Sequence, residues 1–407
     1  MASALAVDQY SRFMTEMFDE REMIGVPTMF QSFFGRPEHG SKTIYSPNAS
    51  VVEIDILRGN ERIAALIERG SDARQIRGKK KDATAQEYTN FARVYPLAEE
   101  TSNIGAKELI NRTAGENPYA MKAQIDRLRT KALEYHLEHM RRFTRLFEYL
   151  AASSILTGKQ PAIIGTTNTD LIYDFRRNGS NFITVTTPWD ASPTNGDAIN
   201  DIDTGCRQLR ISAKVLPNMA LMSEDVMKAF LDNTEVYKLS NKLHYDIITV
   251  SPSNPVPESL MPLVKGGATC RGLLITPAGY QLWLFTYIGI YTDSNGDPQN
   301  YMPNGTFLLA YYGARCDRYF GPGEALPVDS QTAAWYQEMF GFNMMNPPLP
   351  PNIQNASDVL SPAMFYNDAF KTGENKHITI RTQTAPIFAT TMTDAFVVLK
   401  GVTETSS

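Results

Sequence analysis

Residues 35–43, GRPEHGSKT, come within one residue of the phosphate-binding pattern GxxxxGK[ST], in which backbone N–H groups cradle phosphates and the lysine reaches them. Ser41 stands between Gly40 and Lys42 and displaces that lysine. The continuation of the chain, TIYSPNASVVEIDI, does not read as the helix whose N-terminus would complete such a site. His136 and His139, in EYHLEHM, share a helix face at i, i+3, whereas the zinc-protease arrangement needs i, i+4 with a glutamate beside the first histidine. They read as packing or surface histidines. Cys206, Cys270 and Cys316 fall in no CxxC or CxH spacing, so they predict reduced thiols rather than a disulfide framework or zinc site. GGATCRG opens a strand and reads as a turn, and the chain has no GxSxG elbow, no HExxH and no GxGxxG with a following acidic residue. No catalytic residue, cofactor or metal ligand is assigned.

The remaining chemistry is electrostatic. The 407 residues carry a formal net charge of -5, yet residues 58–82 hold eight Lys/Arg against four Asp/Glu, and residues 118–159 hold the same. The rest of the chain is therefore strongly acidic, an asymmetry that suits association between copies at least as well as a nucleic-acid partner. As a whole the chain is not basic enough for a DNA-binding domain. A composition of 43% hydrophobic and 20% charged residues indicates a folded chain with room for two or three domains. No apolar run approaches the ~18 residues of a membrane helix, and the first residues lack the pattern of a signal peptide, which predicts folding in a cytoplasm.

The elements that carry these charges come in an unusual order. A short amphipathic helix (ALAVDQYSRFMTEMF) precedes a loose arm whose FQSFFG needs something to pack against. Residues 51–68 read as a hairpin turning at Arg-Gly-Asn, with Val52, Ile54 and Ile56 on one face. The basic SDARQIRGKKKD comes next, and NFARVYPLAEE resumes a strand pattern, so the whole is a long two-stranded excursion with a positive tip that must lie on something else. From Asn117 and Pro118, an N-cap and first-turn proline, to a stop at Gly158 the chain reads as one helix. At 1.5 Å per residue its roughly 40 residues span about 60 Å. Leu133, Leu137, Met140, Phe147 and Leu150 form its apolar stripe, and Glu138 with Arg142 an i, i+4 pair. Beyond it, PAIIG, DLIYDF and NFITVTT read as strands. DAINDIDTGCRQLRISA then reads as a helix, and NMALMSEDVMKAFLDN as a strand entering another. GGATCRGLLITPA, YQLWLFTYIGIYTD and FLLAYYG are further strands. Residues 326–375 read as irregular, and KHITIRTQTAPIFATTMTDAFVVLKGV as strands that pair back onto earlier ones.

This order resembles the major capsid proteins of tailed bacteriophages, and within them the lambda-type major capsid protein E family. The local patterns that carry the resemblance are ILRGNERIAALIERG, SSILTGK, PWDASPTNGDAINDID, YIGIYTDSNGDPQNYMPNGTFLLAYYGARCDRYFG and TQTAPIFATTMTDAFVVLKGV, in that order across residues 45–402. The resemblance implies an α+β fold: an N-terminal arm over 1–50, an extended loop (E-loop) and its base over 51–100, and a peripheral domain over 101–190 with a spine helix at 118–157. An axial α/β domain would cover 191–345, with a return to the peripheral domain over 346–407. Residues 326–375 are longer and richer in proline and asparagine than the family's usual link. It further implies a non-enzymatic subunit that assembles with itself into hexamers and pentamers of an icosahedral head in the host cytoplasm. A scaffolding protein, a portal and packaged double-stranded DNA would be its partners, with room for a decoration protein and no role for a membrane.

On this reading the basic tip docks on a neighbouring subunit through Arg74, Arg77, Lys79, Lys80 and Lys81. Some related capsids form covalent links through lysine and asparagine, but no acceptor for these lysines is identifiable. Two rival readings are a cytoplasmic α/β enzyme using residues 35–43 on a phosphorylated ligand, and a nucleic-acid-binding protein using the basic loop and helix. Both leave the long helix and the long excursion unexplained.

Overall fold

The apolar runs MALM, FLLA and FVVL lie side by side in the middle of a mixed six-stranded sheet. The structure is a computed structural model describing residues 26–46, 51–56, 89–94, 96–105, 121–161, 172–191, 196–236, 256–293, 296–321, 366–372 and 377–404. In chain order its first strands are β1 Thr43–Tyr45, β2 Val51–Ile56, β3 Thr89–Val94, β4 Ala98–Gly105, β5 Lys159–Pro161 and β6 Ile172–Asp174. Next come β7 Phe182–Thr184, β8 Met219–Met222, β9 Thr269–Ile275, β10 Gln281–Thr286, β11 Ile290–Thr292 and β12 Pro298–Asn300. The last are β13 Phe307–Ala310, β14 Asp317–Phe320, β15 Tyr366–Thr372, β16 His377–Thr384, β17 Pro386–Ala389 and β18 Phe396–Lys400. The main helices are α1 Met121–Thr157, α2 Ala198–Ala213 and α3 Glu224–Asp232.

The six-stranded sheet runs β7-β18-β13-β8-β10-β9, with β7/β18 and β8/β10 parallel and the other neighbours antiparallel. Strands β8 and β13 are buried throughout and β18 up to Leu399, as unbroken apolar runs require. Asp197 caps α2 by accepting the Asn200 N–H at 3.0 Å, and Ile202, Cys206, Leu209 and Ala213 form the helix's buried stripe. Gly205 permits close approach to the sheet: a Cβ there would lie 2.5 Å from a Leu309 methyl carbon. The readings of 219–232 as strand then helix, and of 198–213 as helix, match β8, α3 and α2.

Two three-stranded sheets, β15-β16-β4 and β1-β14-β17, carry the returning C-terminal strands. Three sequence expectations change here, and a fourth lies in part outside the described residues. Strand β2 pairs antiparallel with β3, from Val51 opposite Val94 to Ile56 opposite Thr89, so the resumed strand is a partner of β2; residues 62–68 lie outside the described residues. The expected turn at Arg58 lies outside the described residues. The face of β2 is as read, since Val52, Ile54 and Ile56 are buried in a second core with Tyr173, Phe175 and Ile387. Second, within the stretch read as irregular, Tyr366–Thr372 is a strand in continuous register with β16. Polar YNDAFKT has no apolar period, and its place is given by backbone pairing with β16. Third, Phe30–Phe33 is not a loose arm but a turn of 3-10 helix whose Phe30 and Phe33 are fully buried in the main core. Fourth, α1 is described from Met121; its proposed cap at Asn117 and Pro118, the N-terminal helix and the basic loop tip lie outside the described residues.

Candidate functional site

From Leu146 to Gly158 the sequence carries a single charge, Glu148. Helix α1 turns it inward, where it is completely buried. Its Oε1 accepts the Phe30 N–H at 2.7 Å and the Tyr287 hydroxyl at 2.8 Å. Its Oε2 accepts the Gln31 N–H at 3.1 Å and the Gln31 side-chain amide at 3.4 Å. That amide also donates to the Thr144 carbonyl at 3.0 Å. The carboxyl thus ties three pieces together: the N-terminal segment, α1, and the turn after β10. Burial pushes Glu148 up to about 7, against the downward pull of all these donors. Burial raises Tyr287 as well, and the adjacent carboxylate adds to that.

Nine to twelve residues, about three helix turns, towards the N-terminus, α1 meets the sheet β15-β16-β4 through a different polar joint. The Thr382 hydroxyl contacts Nδ1 of His136 at 3.0 Å and Nδ1 of His139 at 3.2 Å, and His139 Nε2 contacts the Ser102 hydroxyl at 2.8 Å. One hydroxyl can donate to one ring while accepting from the other, so neutral imidazoles satisfy this joint. Burial pushes His139 down to about 4, Arg142 lowers it further, and Glu138 opposes them. Both histidines are buried, which settles the choice between surface and packing.

The C-terminal end of α1 is closed by Gly158 in the left-handed region at φ 69, and by Arg177, whose Nη2 donates to the Ser154 carbonyl at 3.1 Å. The Arg177 guanidinium lies 5.6 Å from the Phe182 ring and 5.5 Å from the Phe396 ring. Burial lowers its pKa to about 10, with Asp394 opposing.

Of the stripe read from the sequence, Met140, Phe147 and Leu150 are buried and Leu137 is half-buried; the Leu133 side chain lies outside the described residues. Phe147 packs between Phe320 and Phe388 at 5.8 and 5.6 Å. The pair Glu138 and Arg142 forms at 3.3 Å, and Arg142 also reaches Glu100 at 3.1 Å. Arg74, Arg77, Lys79, Lys80 and Lys81 lie outside the described residues. Residues 35–43 form a 3-10 turn at Pro37–His39, and the Lys42 N–H donates to Asp317 at 2.7 Å as the chain enters β1. Asp317 is itself held by Arg315 at 2.9 Å and Thr391 at 3.0 Å, so the segment is a joint to β14. The three cysteines are free, and burial raises all three, Cys206 to about 12. Among the described residues no group of three His, Cys, Asp or Glu could hold a metal ion, and no helix is long and apolar enough to cross a membrane.

Sequence reasoning missed Glu148, Gln31 and Tyr287 as one unit. The available signal was the lone carboxylate in FEYLAASSIL; nothing in the sequence gave its partners, which lie more than 110 residues away.

The polar side chains so described join element to element. Residues 20–400 match the model of the family described as phage major capsid protein E. This chain is therefore a capsid protein. It belongs to the phage major capsid protein E family, and its role is that of a structural capsid subunit. No curated protein matches it. Among solved structures it is similar to a protein assigned as a prophage capsid protein of E. coli CFT073, at 16% identity and a TM-score of 0.59, covering 97% of this chain and 98% of the other. It is also similar to the capsid of Ralstonia phage GP4, at 11% identity and a TM-score of 0.44, covering 91% and 89%.

Proposed function

We propose that the chain assembles with copies of itself into hexamers and pentamers of a closed icosahedral head around double-stranded DNA, without catalysing a reaction. The match to the capsid family over residues 20–400 carries this reading. Assembly takes place in the host cytoplasm with a scaffolding protein and a portal, and a decoration protein is a further candidate partner. Contact with DNA is nonspecific and electrostatic. The working division is an arm over 1–50, loop and base over 51–100, peripheral domain over 101–190, axial domain over 191–345 and return over 346–407. Size-exclusion chromatography of the purified chain, with negative-stain electron microscopy of the first fraction, tests it. Closed shells, tubes or isolated five- or six-fold rings are expected; a stable monomer or dimer even with scaffold co-expressed overturns it.

Within that assembly, Arg74, Arg77, Lys79, Lys80 and Lys81 dock on acidic surface of a neighbouring subunit. Support comes from the pairing of Ile56 with Thr89, which makes the intervening basic residues leave and return at one base. Each exposed ion pair contributes a fraction of a kcal/mol, repeated over every copy. Reversing Lys79, Lys80 and Lys81 to glutamate should impair shell assembly and change its salt dependence; assembly indistinguishable from wild type at every salt concentration removes the docking role. The stripe Leu133, Leu137, Met140, Phe147 and Leu150 serves packing of the spine helix.

A further inference from the structure

The segment around Phe30 is held from every side yet contributes no strand. Its Thr28 N–H donates to the Gly266 carbonyl at 3.0 Å, its Gly35 N–H to the Cys316 carbonyl at 3.0 Å, and Tyr312 donates to the Ser32 carbonyl at 3.3 Å. Phe30 and Phe33 sit edge-on against Tyr287 and Tyr312 at 5.6 and 4.9 Å. Glu148 lies at the centre of this seat. Among the described residues, the groups facing it are donors, and none is a cation. The N-terminal segment offers two backbone N–H groups and the Gln31 amide, and the turn after β10 offers Tyr287. Tyr301, after β12, is the other titratable group among the described residues that interacts with the carboxyl, and its hydroxyl is turned to the Arg145 carbonyl at 3.2 Å. On α1 itself the Arg145 residue is exposed. Farther along the segment, Arg36 lies over Tyr312 and pairs with Glu38 at 2.9 Å, with His39 beside them.

We propose that Glu148 is a proton-operated catch for the segment Thr28–Phe34: uncharged, it holds the segment in its seat, and ionised, it favours the segment's departure while the six-stranded sheet stays folded. A buried carboxylate with no cation regains hydration by leaving the seat. A protonated carboxyl can instead stay, with the Tyr287 hydroxyl turned round to accept its proton. The direction comes from linkage. Seated, the group titrates at about 7, and released it returns towards 4.5. The hold is therefore full below 4.5 and weakens as pH rises through about 7. The catch lies within one subunit and can be tested without shells, so its failure leaves the assembly reading untouched.

The test is amide hydrogen exchange on the full chain from pH 5 to pH 8, corrected for intrinsic rates. Protection of the Phe30 and Gln31 amides should fall roughly 70-fold over that range, while Leu221 and Leu308 in the central sheet keep theirs. Glu148→Gln should make the seat's protection independent of pH. Should that variant fail to fold, Tyr287→Phe keeps the carboxyl and removes a donor that lowers its pKa, so the fall should move to higher pH. Protection independent of pH in the wild type, an unchanged fall in Glu148→Gln, an unmoved midpoint in Tyr287→Phe, or a parallel loss in Leu221 and Leu308 would each overturn the catch.

Discussion

Glu148 and His139 stand nine residues apart on α1, both buried, and burial moves them in opposite directions, the carboxyl up to about 7 and the imidazole down to about 4. In each case burial favours the uncharged form. What differs is the surroundings. The Thr382 and Ser102 hydroxyls can donate or accept, so a neutral His139 is fully served. Phe30 and Gln31 present N–H donors that cannot reverse, so Glu148 is best bonded in the form that burial opposes. The same helix therefore carries one joint at ease with its protonation state and one under tension.

The largest test of this contrast is truncation. Glu148→Ala leaves the Phe30 and Gln31 N–H groups and the Tyr287 hydroxyl buried without their acceptor, at about 1–3 kcal/mol each. Urea unfolding of the unassembled subunit at pH 7 should show a loss of about 3 kcal/mol or more. Thr382→Val, which takes one hydroxyl from the histidine joint, should cost about 1–2 kcal/mol in the same assay. Equal losses would mean that the two joints do not differ as described.

A second test separates them by pH. Glu148, raised in the fold, contributes stability that is full below 4.5 and lost as pH rises through about 7, up to about 3 kcal/mol. His139, lowered in the fold, contributes stability present above 6.5 and lost as pH falls through about 4. Between 4.5 and 6.5 the two slopes oppose each other, so each masks the other in the wild type. Glu148→Gln should expose a stability that rises with pH across that window, and His139→Gln one that falls. Urea midpoints at half-unit pH steps read both signs, and the same slope in both variants breaks the comparison.

The contrast also explains which parts were legible. The spine helix announced itself through length, the absence of Gly and Pro, and the Gly158 stop, because these are local properties of the chain. The central strands did so through unbroken apolar runs. Strand β15 did not, since YNDAFKT has no apolar period and its place is set by pairing with β16. Likewise β2 showed its buried face but not its partner, because a period of two specifies a face and leaves the neighbour open. The order of the five local patterns pointed to the capsid family, which the match over 20–400 bears out. The Glu148 joint stayed hidden because its partners are distant in sequence and two of its four donors are backbone N–H groups, which no residue type encodes.

The smallest expected effect concerns the charge pair read directly from the sequence. Arg142 bonds Glu138 at 3.3 Å and Glu100 at 3.1 Å on the exposed side of α1. Exposed pairs of this kind contribute about 0.2–1 kcal/mol and less at high salt, so Arg142→Ala should barely move the urea midpoint at pH 7. Its informative effect lies one turn away. Arg142 adds to the lowering of His139, after burial, while Glu138 opposes it. Removing the guanidinium should therefore raise the His139 titration from about 4 without carrying it to the free value, since burial persists. Following the imidazole resonances by NMR from pH 3 to pH 7 reads this directly. A titration that stays where it was would assign the whole depression to burial, and a return to the free value would assign it to the surface charge.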